Sequence, residues 1–296
     1  MTISTEAVRA LREATGAGVL DCKKALEAVG GDFDKAVGYL REKGLAAAAR
    51  KASREANDGW ISVLVDEGGR AGIVVEVNCE TDFVARTEDF QAFVQAVVRQ
   101  VAGEDDVLSD VPTMLTRPFI DDTSITVGER LTQLIAKMGE NIVLRRFARI
   151  ERDGDGWTEG YTHPGNRIGV VIKVSTGSGD VATSAAFREL VHDLALQVAA
   201  AAPKYLSPED IPAETVEAER AIFQAQVAED EKPDHIKERI VEGRLGKWFE
   251  EICLLRQPFV KDGSVEIQDL ISQKGKEWNT SIAVERFIRY ELGMAD

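Results

Sequence analysis

Apolar positions recur with two different periods along this 296-residue chain, and the change of period divides it. Near the N-terminus the period is helical. Ser4 or Thr5 can cap a helix with Glu6 in its first turn, and Val8 and Leu11 follow at helical spacing until TGAG, 15–18, breaks the pattern. A second helix starts at Asp21, carries Cys22, Ala25, Leu26 and Val29 on one stripe, and stops at Gly30-Gly31. Asp32 then caps a third with Phe33, Ala36, Val37 and Leu40. Three short helices over 1–44 bury little surface by themselves, which suits a docking module. Val19 and Leu20, placed between the glycine loop and the second helix, either form an exposed apolar contact or pack locally. The Ala- and charge-rich stretch that follows reads as a helical linker over 45–57.

Beyond it the pattern alternates between strands and helices, and it repeats. AGIVVEVN (71–78) aligns with IGVVIKVS (168–175), and FQAFVQAVVRQVA (90–102) with FRELVHDLALQVA (187–199), both shifted by 97 residues. RPFIDDTSITVGERL (117–131) aligns with QPFVKDGSVEIQDLI (257–271), and RRFAR (145–149) with ERFIR (285–289), now shifted by 140. The larger shift locates an insertion in the second copy. Each copy reads as strand, strand, helix, helix, strand, with the helices on one face of a small antiparallel sheet, so the fold class is α+β. The first repeat spans 58–152; the second spans 153–205 and 251–296. The inserted 206–250 places Val216, Ile222 and Val227 before the break at EKPD (231–234) and Ile236, Ile240 and Leu245 after it, an antiparallel helical hairpin of coiled-coil type. Such a hairpin either touches a partner or another copy, or is a solvated decoration.

Composition narrows the function. Lys and Arg number 36 against 51 Asp and Glu, and the net charge of −15 opposes the counterion release that drives binding to a phosphate backbone. No direct contact with nucleic acid is expected. The three cysteines, Cys22, Cys79 and Cys253, lack metal-ligand spacing and fit a reducing compartment, so neither disulfide nor metal is expected. No apolar run has the length of a membrane span, and the N-terminus lacks the pattern of a signal peptide, which points to the cytoplasm. Nor is there a GxGxxG, GxxxxGK[ST] or GxSxG motif, so no cofactor is expected. Cys79 with His163, His192 or His235 is the one nucleophile–base pairing on offer, but Cys79 shares a strand face with Val75 and Val77 and precedes Glu80, both of which disfavour a thiolate. The chain reads as a binding protein without covalent chemistry. NCETDFVAR (78–86) then stands out, because it sets Asp82 and Phe83 side by side where a buried strand ends. Locally, Phe83 and Val84 could fold back under the next helix with Asp82 capping a turn, or the pair could face a partner.

LREATGAGVLDCKKALEAVGGDFDKAVGYLREKG (11–44), EVNCETDFVARTEDFQAF (76–93), KMGENIVLRR (137–146), IVEGRLGKWF (240–249) and QPFV (257–260), in this order, resemble the translation elongation factor Ts family over nearly the whole chain. The resemblance implies a guanine-nucleotide exchange factor for elongation factor Tu, the GTPase that carries aminoacyl-tRNA. It also implies that the turn Thr81, Asp82, Phe83, Val84 enters the partner near its magnesium and nucleotide, with Asp82 disturbing the magnesium environment and Phe83 acting as a wedge. Met138 and His163 would stand beside Phe83. Arg12, Val19, Leu20 and Lys23 match positions that grip the partner's GTP-binding domain, although methionine is common in the family where Val19 and Leu20 stand here. The resemblance leaves open a homodimer or a 2:2 complex through the core or hairpin. The head over 1–44 is expected to be a UBA-like three-helix bundle, which also suits a rival of another class, an adaptor or scaffold without exchange activity whose head is tethered to a dimerising core.

Overall fold

The computed structural model describes residues 3–103, 110–229 and 232–294. Part of an acidic stretch that joins the halves of the first repeat, GEDDVLSDVPTML (103–115), and part of EKPD therefore lie outside the described residues. Three helices open the chain. Ser4 accepts the Ala7 N–H to cap α1 (Thr5–Thr15), α2 spans Val19–Ala28, and Asp32 accepts the Lys35 N–H to cap α3 (Phe33–Lys51). Leu11, Cys22, Ala25, Leu26 and Ala36 form their small core. Two expectations change here. The second helix begins at Val19 rather than Asp21, because Gly18 in extended backbone serves as its cap. Phe33 is exposed, since α3 turns Ala36 and Gly44 inward instead. The helix runs on through Gly44, which packs against Thr132 and Ala136 of the body, and Lys51 Nζ donates to the Ile135 carbonyl at 3.1 Å.

The body is mixed helix and small antiparallel sheet. Its first half contains β1 (Asp58–Val65), β2 (Ala71–Cys79), α4 (Asp82–Ala85), α5 (Glu88–Gly103), α6 (Val111–Thr116), β3 (Pro118–Phe119), β4 (Asp122–Thr126), α7 (Val127–Met138) and β5 (Ile142–Glu151). The second half repeats this series without α6: β6 (Gly156–Thr162), β7 (Ile168–Thr176), α8 (Gly179–Thr183), α9 (Ala185–Ala201), then the inserted α10 (Ala213–Val227) and α11 (Asp234–Ile252), and finally β8 (Pro258–Phe259), β9 (Asp262–Glu266), α12 (Ile267–Glu277) and β10 (Ile282–Glu291). The strand orders match as well, β1-β2-β5 and β6-β7-β10, antiparallel throughout with β2 and β7 central. Each copy adds to the expected elements a short helix at the end of its central strand and a two-stranded hairpin before its last helix, too brief to leave a periodic signal.

Alternation along β2 explains the layering. Ile73, Val75, Val77 and Cys79 face α5 and α7, while Val74 faces the other sheet. In β7, Val170, Ile172 and Val174 face α9 and Val171 faces inward. The two sheets thus meet face to face through Ile61, Val74, Ile150, Val171, Tyr290 and Leu292, with the helices outside. Glycine sets the closeness of that meeting. A Cβ on Gly72 would stand 2.5 Å from Val171 Cγ1, and one on its counterpart Gly169 would stand 2.5 Å from Ile61 Cγ2. One charge sits in this apolar layer, the fully buried Glu76. It is held by Arg146 at 2.7 Å and by the Gly293 N–H at 2.9 Å, a bond that ties the end of the chain to the first repeat. In the hairpin, Val227, Val241 and Leu245 are buried together, whereas Ile222 faces solvent.

Candidate functional site

Asp82 and Phe83 belong to α4, a single helical turn. Thr81, in extended backbone, caps it by accepting the Val84 N–H at 3.4 Å; Thr81, not Asp82, is the capping residue. In so short a helix successive side chains diverge. Val84 and Ala85 drop into the core beneath α5, at 8% and 5% exposure, and Phe83 projects into solvent at 79%. The two halves of the local expectation therefore part company: Val84 packs and Phe83 does not. Asp82 is also at the surface, its carboxylate 2.8 Å from the Arg86 guanidinium, an exposed pair whose strength is at most about 1 kcal/mol. The second repeat supplies a control. There Ser178 caps α8, Val181 and Ala182 occupy the places of Val84 and Ala85, and Asp180 stands where Phe83 stands. The turn keeps its inward residues without an outward aromatic.

The turn is fastened from below to the loop between α7 and β5. The Thr81 N–H donates to Glu140 Oε2 at 3.0 Å and its hydroxyl to Glu140 Oε1 at 2.6 Å, while the Asn141 N–H donates to Glu80 Oε1 at 2.6 Å. Glu80 also meets Arg54 at 3.4 Å, and the Asn141 side chain donates to the Arg54 carbonyl at 2.8 Å. The Asn141 hydrogen bond, then Arg54, holds the Glu80 carboxyl below its ordinary range. Gly139, with φ of 82°, ends α7 and turns Glu140 toward the site. Sequence reading weighed Glu80 only as a neighbour of Cys79 and did not single out Arg54, Glu140 or Asn141. The signal was present, an acidic residue just before each anchored amide in NCET and GEN, but only the register of β2 against β5 brings the two loops together.

Met138, at the end of α7, packs half-buried on the first-repeat core and receives the Thr87 hydroxyl on its sulfur at 3.8 Å, next to α4. His163 is exposed in the turn between β6 and β7. Its Nδ1 lies 3.0 Å from the Tyr161 hydroxyl, and its backbone bonds to Ile168 and Asn166. That turn reaches the first repeat through Asn166, whose carbonyl accepts the Ile61 N–H, and through Arg167, 3.2 Å from Asp58 opposite Cys79. So the contacts of Met138 run to the Phe83 turn, whereas those of His163 stay within the second repeat, and it is Asn166 and Arg167 of the same turn that reach β1. In the head, Arg12 at the end of α1 and Val19, Leu20 and Lys23 in the first turns of α2 are all at the surface, Val19 at 51% and Leu20 at 71%. The question left by the sequence is answered for Val19 and Leu20: they do not pack locally.

The chemistry of the remaining groups is quiet. Cys79 is buried, donates to the Thr81 carbonyl at 3.1 Å, and has its thiol pushed up to about 12 by burial and the nearby Glu140 and Asp58 carboxylates, which removes it as a nucleophile. His192, on the surface, lies 3.1 Å from Glu159, and His235 is exposed on α11. Among the described residues no group of three or more His, Cys, Asp or Glu is placed to hold a metal, and no helix is long and apolar enough to cross a membrane. The three cysteines are free thiols.

Known proteins agree with the motifs. The family model described as Elongation factor TS matches residues 80–294. The Elongation factor Ts of Trichlorobacter lovleyi is 42% identical over 293 residues, covering 99% of this chain and 93% of its own length. That of Clostridium botulinum is 43% identical over 291 residues, covering 98% and 93%, and that of Clostridium perfringens is 44% identical over the same shares. An alignment of this identity running from end to end leaves no part of the architecture outside the likeness, and the chain belongs to the elongation factor Ts family.

Proposed function

We propose that this chain promotes GDP release from elongation factor Tu by pressing the Asp82–Phe83 turn into the magnesium and nucleotide site. Exchange on elongation factor Tu, with no covalent step on the factor, is the activity that membership in the family carries. The observation that supports the turn as its instrument is Phe83, 79% exposed between a capping Thr81 and a buried Val84. A phenyl ring already exposed by its turn gives up no core packing when it enters a partner, and burying it there gains roughly 1.5–3 kcal/mol before the cost of ordering the side chain. Among the described residues the Asp82 carboxylate is paired with the exposed Arg86 alone, a weak bond that leaves it able to meet the waters of a hydrated magnesium ion. Met138 and His163 extend the same contact, and Arg12, Val19, Leu20 and Lys23 form a second one on the head.

Linkage turns contact into exchange. A factor that prefers the nucleotide-free partner must itself be weakened by nucleotide in the same ratio. A preference of about 10⁴-fold corresponds to roughly 5.5 kcal/mol of coupling. Stopped-flow release of a fluorescent GDP analogue from elongation factor Tu tests the reading: the factor accelerates release strongly, and Asp82→Ala and Phe83→Ala each reduce the maximal rate. Full acceleration by both variants would move the mechanism to the head or hairpin. The adaptor reading leaves the exposed Phe83 without a role, and the end-to-end likeness to exchange factors argues against it.

A further inference from the structure

Two carboxylates cross beneath the Asp82–Phe83 turn. Glu140 accepts both the N–H and the hydroxyl of Thr81, and Glu80 accepts the N–H of Asn141, so each loop's acid binds the amide that follows the other loop's acid. The Cys79 thiol on the Thr81 carbonyl adds a third tie to the same residue. The second repeat shows that the fold does not require this arrangement. At the places of Glu80, Glu140 and Asn141 it has Gly177, Thr280 and Ser281, and there the Gly177 N–H bonds directly to the Ser281 carbonyl at 3.1 Å. The same kind of cap forms over it, with Ala182 buried and Val181 partly buried beneath, without a carboxylate bonded to the cap. The clamp is therefore confined to the repeat whose turn carries the exposed Phe83.

The geometry points to Glu140, with Glu80 as its mirror, as a positioning residue of the exchange factor: it fixes the base of the Asp82–Phe83 turn so that the ring enters the partner without a prior ordering step. This rests on the turn being the instrument of exchange. A wedge on a loose turn loses part of its binding free energy to ordering, whereas one held by charge-assisted bonds arrives preorganised. Glu140 itself need not touch the partner.

Two measurements on the full-length chain test it. In the free protein, amide hydrogen exchange across 81–86 should be about tenfold faster in Glu140→Ala, the factor that ~1.4 kcal/mol of lost bonding produces. Glu140→Gln, which keeps one acceptor oxygen for the Thr81 amide, should fall between, and circular dichroism should show both variants folded. In stopped flow with a fluorescent GDP analogue on elongation factor Tu, Glu140→Ala should lower the maximal release rate by about the same factor while moving the half-saturating concentration less. Added to Phe83→Ala, it should cost clearly less than it does in the wild type, because the part of its effect that acts through the ring is already lost and only the part through Asp82 remains. Wild-type amide exchange in Glu140→Ala, or losses that multiply in the double variant, would overturn the clamp. If Phe83→Ala releases GDP as fast as wild type, the wedge reading falls and the clamp's role in exchange falls with it. Slow release by Phe83→Ala beside normal release by Glu140→Ala overturns the clamp alone and leaves the wedge standing.

Discussion

Glu80 is the carboxylate at the site whose ionisation the structure shifts. Its lowered carboxyl owes most to the Asn141 N–H, then to Arg54 at 3.4 Å, with Lys51 contributing at longer range against some burial. A group whose folded pKa is depressed adds stability that is fully present above its unfolded value and is lost as pH falls through the folded one. The Glu80 bond to the Asn141 amide is accordingly intact at neutral pH and is lost only in acid, below the ordinary carboxylate value of 4.5. The Asn141 amide resonance, followed by NMR, should stay flat from neutrality down to that region and move below it; movement near pH 6 would contradict the assignment. Phe83 stood out in the sequence because NCETDFVAR set it against a buried strand. Its exposure, by contrast, was undecided until α4 was seen to turn Val84 inward, because a period of 3.6 cannot be read from four residues.

At the scale of elements, short local signals were legible where a cap or an apolar stripe announced them, and lost where neither did. Asp32 and Ser4 capped helices as their residue types favour, and the stripe of Leu11, Cys22, Ala25 and Leu26 became the core of the head. The start of α2 was missed because Gly18 caps it without a side chain. The hairpin was legible from its break and its apolar period, yet Ile222 faces outward while Phe223 packs inward, a one-residue rotation that the pattern did not resolve. That hairpin has few buried residues of its own. Leu245→Ala removes one of its three, and should cost ~2–5 kcal/mol locally, seen as faster amide exchange in α10 and α11 with the sheets unaffected. Equal loosening of β2 and β7 would mean that the hairpin is integral to the body.

For the whole molecule, the decisive contact is between the two sheets. Gly72 and Gly169, paired by the repeat, admit the facing strand so closely that any side chain collides with Val171 or Ile61. Gly72→Ala should therefore lower stability by about 1–3 kcal/mol in a denaturant titration, through overpacking, and should reduce GDP-release activity only as far as unfolding does. An unchanged midpoint would show that the sheets can shift apart without penalty. Buried Glu76, bonded to Arg146 and to the Gly293 amide, fastens the same meeting of halves. By itself the sequence determined the duplication, the inserted hairpin, the helical head and the family, because each is written in residue order: periods, caps, and long motifs that chance does not assemble. Only the tertiary structure decided that the repeats meet sheet to sheet, that Glu140 and Glu80 cross beneath the turn, and that Phe83 faces solvent while Val84 does not. These depend on which distant segments the sheet register brings together, and no local period encodes that.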